Sequence, residues 1–261
     1  MNHLSRFIKD IINHRDLIRY LTIADFKANS ARTYFGLVWW IVDPLLYMLI
    51  FYLLVQVILQ RGGEDYAVFL FVALIPLKWT ISCIVDGTNS ITSKKGIIEQ
   101  IYVPKTVLIL VRFLINTIKF FIGVAVLLAF LFVYGIEFTP YMFYFIPIMM
   151  IHLVFLIAVM IILAHVGVYL RDIRNMMQYI ARTLFYLSPV MYELSRVPEH
   201  LQTWLYLNPL TSLITGYRNA MLYAEPINWQ PLLILLGASI LLLFFSLSVL
   251  YKYEKTYAKV M

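Results

Sequence analysis

The feature that most limits this chain is its set of long apolar blocks almost free of charge, of which LLILLGASILLLFFSLSVL near the C-terminal end is the clearest. A block of about 18 apolar residues is long enough to cross a bilayer as a helix. The blocks are continuous, whereas the strands of a membrane β-barrel would alternate apolar and polar residues. Of the 261 residues only 13% are charged, roughly half the usual share in a soluble domain. Mean hydropathy is +0.82, so water is not the solvent on most faces. The expected fold class is an all-α polytopic membrane protein with six transmembrane helices.

Along the chain, residues 1–32 place Ile8, Ile11, Ile12, Leu17, Ile18, Leu21, Ile23 and Phe26 at near-helical spacing among Arg6, Lys9, Arg15, Arg19 and Lys27. This is the pattern of a basic amphipathic helix lying in a membrane interface; a soluble helix packed on a partner is the competing reading. The spans are expected at about 36–59, 67–91, 106–134 and 142–169, a fifth from near Gln178 to Pro189, and a sixth at 230–251. Segment 193–229 is only moderately apolar and holds Pro198, Pro209 and Pro226. It reads as short re-entrant or interfacial helices between spans five and six. The organisation is thus an interfacial helix (1–32), a transmembrane domain (33–254) and a short tail (255–261). Fifteen Lys and Arg fall on the side that carries both termini and three on the other. By the positive-inside rule both termini face the cytoplasm. No cleavable signal peptide is expected, because residues 1–30 are punctuated by charge.

Several chemistries are excluded or disfavoured. No G-x-x-x-x-G-K-[ST] occurs, and Lys105-Thr106 follows a proline without the glycines that cradle phosphate, so no P-loop binds ATP here. The in-span and connecting carboxylates Asp43, Asp86, Glu99 and Asp172 stand one per segment, unlike the clustered acids of a metal-dependent phosphate enzyme. His152 and His165 are thirteen residues apart, not i, i+4. Cys83 is the single cysteine and reads as a small buried side chain. The net charge of +7 is scattered between apolar blocks, which argues for topology rather than nucleic acid. Charges within spans are costly, so Asp43, Lys78, Asp86, Arg112 and Lys119 either pair between helices or line a path for an anionic substrate. Tyr47, Phe51, Tyr186 and Tyr192 either meet lipid or stack on sugar rings along such a path.

Three stretches together resemble the permease subunits of ABC-2-type exporters of lipid-linked polysaccharides and teichoic acids. They are DFKANSARTYFGLVWWIVDPLLYMLIFY, GTNSITSKKGIIEQIYVPKTVL and YLRDIRNMMQYIARTLFYLSPVMYELSRVPEHLQTWLYLNPLTSLITGYRNAML. The first carries Phe-Gly-x-x-Trp and Pro-Leu, the second Tyr-Val-Pro-Lys, and the third Arg-Asp-Ile, Ser-Pro-Val, Asn-Pro-Leu and Gly-Tyr-Arg in the family's order.

The resemblance implies a membrane permease without its own nucleotide site or cofactor, dimeric, with two ABC ATP-binding subunits that hold ATP and Mg. Segment 94–105 would be the coupling helix, with Lys94, Lys95, Glu99, Tyr102 and Lys105 contacting the ATPase. Arg32, Lys78, Arg112 and Lys119 would meet the substrate headgroup. Segment 193–229 would be the external gate, with Pro198, Asn208, Pro209 and Arg218. The substrate implied is an undecaprenyl-diphosphate-linked polymer, teichoic acid first and O-antigen or capsule as the alternative, exported across a bacterial cytoplasmic membrane. A membrane-embedded transferase acting on polyprenyl phosphate is the rival from another class.

Overall fold

The computed structural model describes residues 3–31, 34–63, 65–170 and 172–260, and among them there is no strand. The chain opens with α1 (His3–Asn13) and α2 (Arg15–Ala31). Helical hydrogen bonds continue across their joint, from His14 N to Asp10 O and from Ile18 N to His14 O. Apolar residues on one side are buried, such as Phe7 and Ile18, while Ile8, Ile12, Tyr20 and Ile23 remain exposed.

Among the described residues, five helical segments are long and apolar enough to span a membrane: Trp39–Ile58, Tyr66–Asn89, Lys105–Tyr134, Pro140–Tyr169 and Trp229–Tyr253. The first comprises α3 (Trp39–Tyr52) and a wider π-helical end at Leu53–Ile58. The second is α4 (Tyr66–Asn89). After it, the short α5 (Lys95–Gln100) leads to the third, α6 (Lys105–Tyr134). The fourth is α7 (Phe145–Tyr169), entered through a 3-10 turn. Then follow α8 (Ile173–Leu187), α9 (Glu199–Leu205), α10 (Pro209–Arg218), the last span α11 (Trp229–Tyr253) and the terminal turn α12 (Tyr257–Val260).

Of the six spans expected, α8 is the one that falls short. Its 15 residues rise only about 22 Å, against roughly 30 Å of hydrocarbon. Ser188 turns the backbone extended and Pro189 follows, which ends the helix early. α8 is also two-sided: Ile173, Met177, Ala181 and Phe185 are buried at four-residue spacing, while Arg174, Gln178 and Arg182 lie on its exposed side.

α4 is the centre of the bundle. From Tyr66 to Leu77 it is buried without a break, as expected for a helix apolar all round, and α3, α6, α7, α8 and α10 all pack on it. Its far end approaches α7 closely at a glycine. A Cβ on Gly167 would stand 1.9 Å from the Thr88 carbonyl oxygen, so only a small residue lets the two backbones meet there. α6 ends on Gly135, left-handed at φ 88°, with Ile136 N returning to Leu131 O, a turn glycine adopts without strain. α3 is the opposite of α4: Pro44 is its one buried residue among those described.

Candidate translocation path and docking surface

Two polar clusters define the end of the molecule that carries both termini. In the first, Glu254 accepts from Arg6 Nη2 at 2.6 Å, from Tyr102 Oη at 3.5 Å and from the Lys105 backbone N–H at 3.4 Å. Asp10 beside it accepts from Tyr251 Oη at 2.9 Å and Thr106 Oγ1 at 3.3 Å. In the second, Asp25 of α2 takes Lys94 Nζ at 2.7 Å and lies 3.9 Å from Arg112 Nη2, which also reaches Ser93 Oγ at 3.5 Å. The segment 94–105 is therefore tied to α2 at its start, and to α1 and the C-terminal end at its finish.

These ties sort the residues expected to contact another chain. Lys94 is committed to Asp25, and Lys105 is buried, donating to the Val103 carbonyl at 3.1 Å. Lys95 is exposed, and so are Ile101 and Tyr102. Burial and the neighbouring Glu254 charge raise the Tyr102 phenol above its ordinary range. Glu99 lies in α5, with its side chain outside what the structure describes, and Arg32 lies outside the described residues altogether.

Within the spans, Lys78 forms an ion pair with Asp43, and its Nζ lies 4.1 Å from the centre of the Tyr47 ring. Phe51 follows on the same helix, 4.9 Å from Phe185 of α8. Asp43, Tyr47, Lys78, Ser82 and Phe185 line a cavity of about 230 Å³. The structure thus brings Tyr47 and Lys78 together at this cavity, with Phe51 packed on the lining Phe185. Arg112 belongs to the Asp25 cluster instead, and Lys119 sits over the face of Trp40. Tyr186 is exposed. His152 is fully buried, bonded to Thr80 Oγ1 at 2.8 Å and to Tyr217 Oη at 3.4 Å.

At the opposite end, Pro198 precedes α9 and Pro209 opens α10, positions where a missing N–H costs nothing. Asn208 caps α10 by accepting from Leu210 N at 3.0 Å and reaches Ser188 Oγ at 2.9 Å. Arg218 is buried, with its guanidinium donating to the carbonyls of Phe69, Pro189 and Val190. It anchors α10 to α4 and to the turn after α8. A cavity of about 580 Å³ opens beside it, lined by Tyr66, Phe69, Tyr192, Glu193, Arg196 and Tyr223 among others. Arg196 bridges its rim through the Arg61 carbonyl at 3.2 Å.

The helical bundle does not by itself name a family; sequence comparison does. Residues 16–222 match the ABC-2 type transporter family. The chain belongs to that family. It is accordingly a multi-pass membrane protein. Two similar proteins are named O-antigen export system permease protein RfbA in Klebsiella pneumoniae. They are 30% identical over 122 residues and 28% over 120, covering 47% and 46% of each chain. A third of that name, from Myxococcus xanthus, is 26% identical over 130 residues, half of each chain. The alignments thus span about half the length of these relatives.

The ABC-2 match reaches the π-helical turn Asn219–Tyr223 and stops before α11. Glu254, Asp10 and Asp25 were not singled out from the sequence. Nothing local marks them: Glu254 reads as part of a charged tail, and its partner Arg6 is 248 residues away.

Proposed function

We propose that this chain is the membrane subunit of an ATP-driven exporter that carries a lipid-linked surface polysaccharide out of the cytoplasm. The observation that carries the reading is the family match together with relatives named as O-antigen export permeases. Those names favour an O-antigen type of polymer over the teichoic acid suggested by resemblance. Ile101 and Tyr102, exposed beside Lys95 at the end rich in Lys and Arg, offer an apolar contact for two ATP-binding partner subunits, which would hold ATP and Mg. The same charge bias supports both termini facing the cytoplasm, in a bacterial plasma membrane. The bare outer surface of α3 supports assembly of two copies around a shared path. Tyr47, Phe51 and Lys78 would line that path, and the short helices α9 and α10 would form its outer gate.

The test is co-purification with the candidate ATPase, followed by ATP hydrolysis with and without an undecaprenyl-diphosphate-linked glycan. Hydrolysis that responds to the glycan supports export. A chain that binds no ATPase and itself converts polyprenyl phosphate would replace export with the transferase reading.

A further inference from the structure

The helix α5 has six residues, too few to stay helical on its own hydrogen bonds, so it needs a seat. The elements it packs on most are the turn Thr92–Lys94 leading into it and α12, Tyr257–Val260. α12 packs in turn on α7. Two residues of the tail are buried, Glu254 and Tyr257, while Lys255, Thr256, Lys259 and Val260 beside them are exposed.

Glu254 takes the far end of segment 94–105, at the Lys105 N–H. Tyr257 is 0% exposed, and its Oη lies 2.7 Å from Nδ1 of His165 on α7. One turn further along α7, Tyr169 Oη meets Thr256 Oγ1 at 3.0 Å. The Tyr257 ring lies 5.7 Å from that of His165 and 6.1 Å from that of Tyr169, centre to centre. Ile98, the buried residue of α5 among those described, belongs to the same apolar core as Tyr257. A solvated tail would leave such a tyrosine in water. Four residues of helix cannot hold this place by themselves; a buried phenol with a hydrogen bond and two ring neighbours can.

We infer that α12 is a strut between α5 and the fourth span, with Tyr257 as its positioning residue. The role rests on the proposed reading of 94–105 as the docking segment, since a push on α5 by an ATPase then reaches α7 through this turn.

The seat is tested on the full chain in detergent by maleimide labelling of Ile98→Cys, a position 7% exposed. Labelling of a buried cysteine follows local opening. Tyr257→Phe keeps the ring and should speed labelling several-fold, about the worth of one hydrogen bond. Tyr257→Ala should speed it about tenfold or more, because the packing of the ring is lost as well. His165→Phe removes the same bond from the other side and should match Tyr257→Phe, with no further gain when the two are combined. Leu213→Cys, fully buried in α10 at the opposite end, should stay unlabelled throughout, and Lys259→Ala should change nothing. The second readout is ATP hydrolysis in the complex with the candidate ATPase. Tyr257→Ala should keep the complex but lose its response to an undecaprenyl-diphosphate-linked glycan, a separation that general unfolding does not produce. Labelling of Ile98→Cys unchanged by either Tyr257 variant, or rising equally at Leu213→Cys, overturns the strut. Should the alanine variant unfold, the phenylalanine variant decides. An intact glycan response in both variants overturns the transmission from α5 to α7. If the unaltered chain binds no ATPase, the docking reading falls, and the labelling alone judges the seat.

Discussion

Arg6 and Glu254 close the chain on itself: the guanidinium of the first helix meets the carboxylate that follows the last span at 2.6 Å, with the glutamate side chain only 5% exposed. Glu254 also holds the Lys105 backbone and Tyr102, so α1, the end of the last span and the segment before α6 meet at one carboxylate. Glu254→Gln should loosen α1. Arg6 is 36% exposed, so the energetic loss is small, on the order of 1 kcal/mol after screening. The direct readout is maleimide labelling of Phe7→Cys, a position buried at 7%, which becomes faster in the Gln variant. Cys83 is fully buried and adds little background. Unchanged labelling would mean that the pair does not hold α1.

Arg218 supports three backbone carbonyls on two other segments. Arg218→Ala strands them in a buried site, costing about 3 kcal/mol, and should lower thermal stability in detergent by several degrees. Arg218→Lys keeps the charge but loses the forked geometry and should fall between. An alanine variant with unchanged melting would contradict the anchoring role.

The two hydrogen bonds of His152 differ in length, and their removal should rank accordingly. Thr80→Val leaves a wholly buried ring nitrogen without its 2.8 Å partner, a loss of about 1–3 kcal/mol. Tyr217→Phe removes a contact of 3.4 Å and should cost less than about 1 kcal/mol. Denaturation of both variants in the same detergent checks the order.

Gly167 and Gly87 both lie where α4 meets α7, yet only one is indispensable. A Cβ on Gly167 collides with backbone at 1.9 Å, whereas one on Gly87 meets Met160 at 3.3 Å. Gly167→Ala should destabilise by about 1–3 kcal/mol and Gly87→Ala by clearly less, as monitored by the detergent-solubilised yield and melting of each.

Ile101 is exposed on the segment proposed to dock the ATPase. Ile101→Asp should abolish co-purification with that subunit while the isolated chain melts normally. Full retention of the complex would move the docking surface elsewhere.

The membrane class, the helices and most span limits were legible in the sequence, because continuous apolar blocks admit one solution in lipid: a helix that satisfies its own backbone. The expected span at 106–134 against α6 at Lys105–Tyr134 is one such case. α8 was harder, since its 15 residues are half apolar and its length is decided by Ser188 and Pro189 rather than by hydropathy. The basic residues near and within the spans could be counted but not distinguished. Lys78, Arg112 and Lys119 look alike in the sequence, yet one pairs within the spans, one joins Asp25 of α2, and one faces Trp40. The sequence alone determined that this chain lives in a bilayer as helices, because transfer from water to lipid depends on composition and is summed locally. Which charges are satisfied, and that Glu254 joins the two ends of the chain, was decided only by tertiary structure, because pairing depends on distances between residues that sequence separation does not encode.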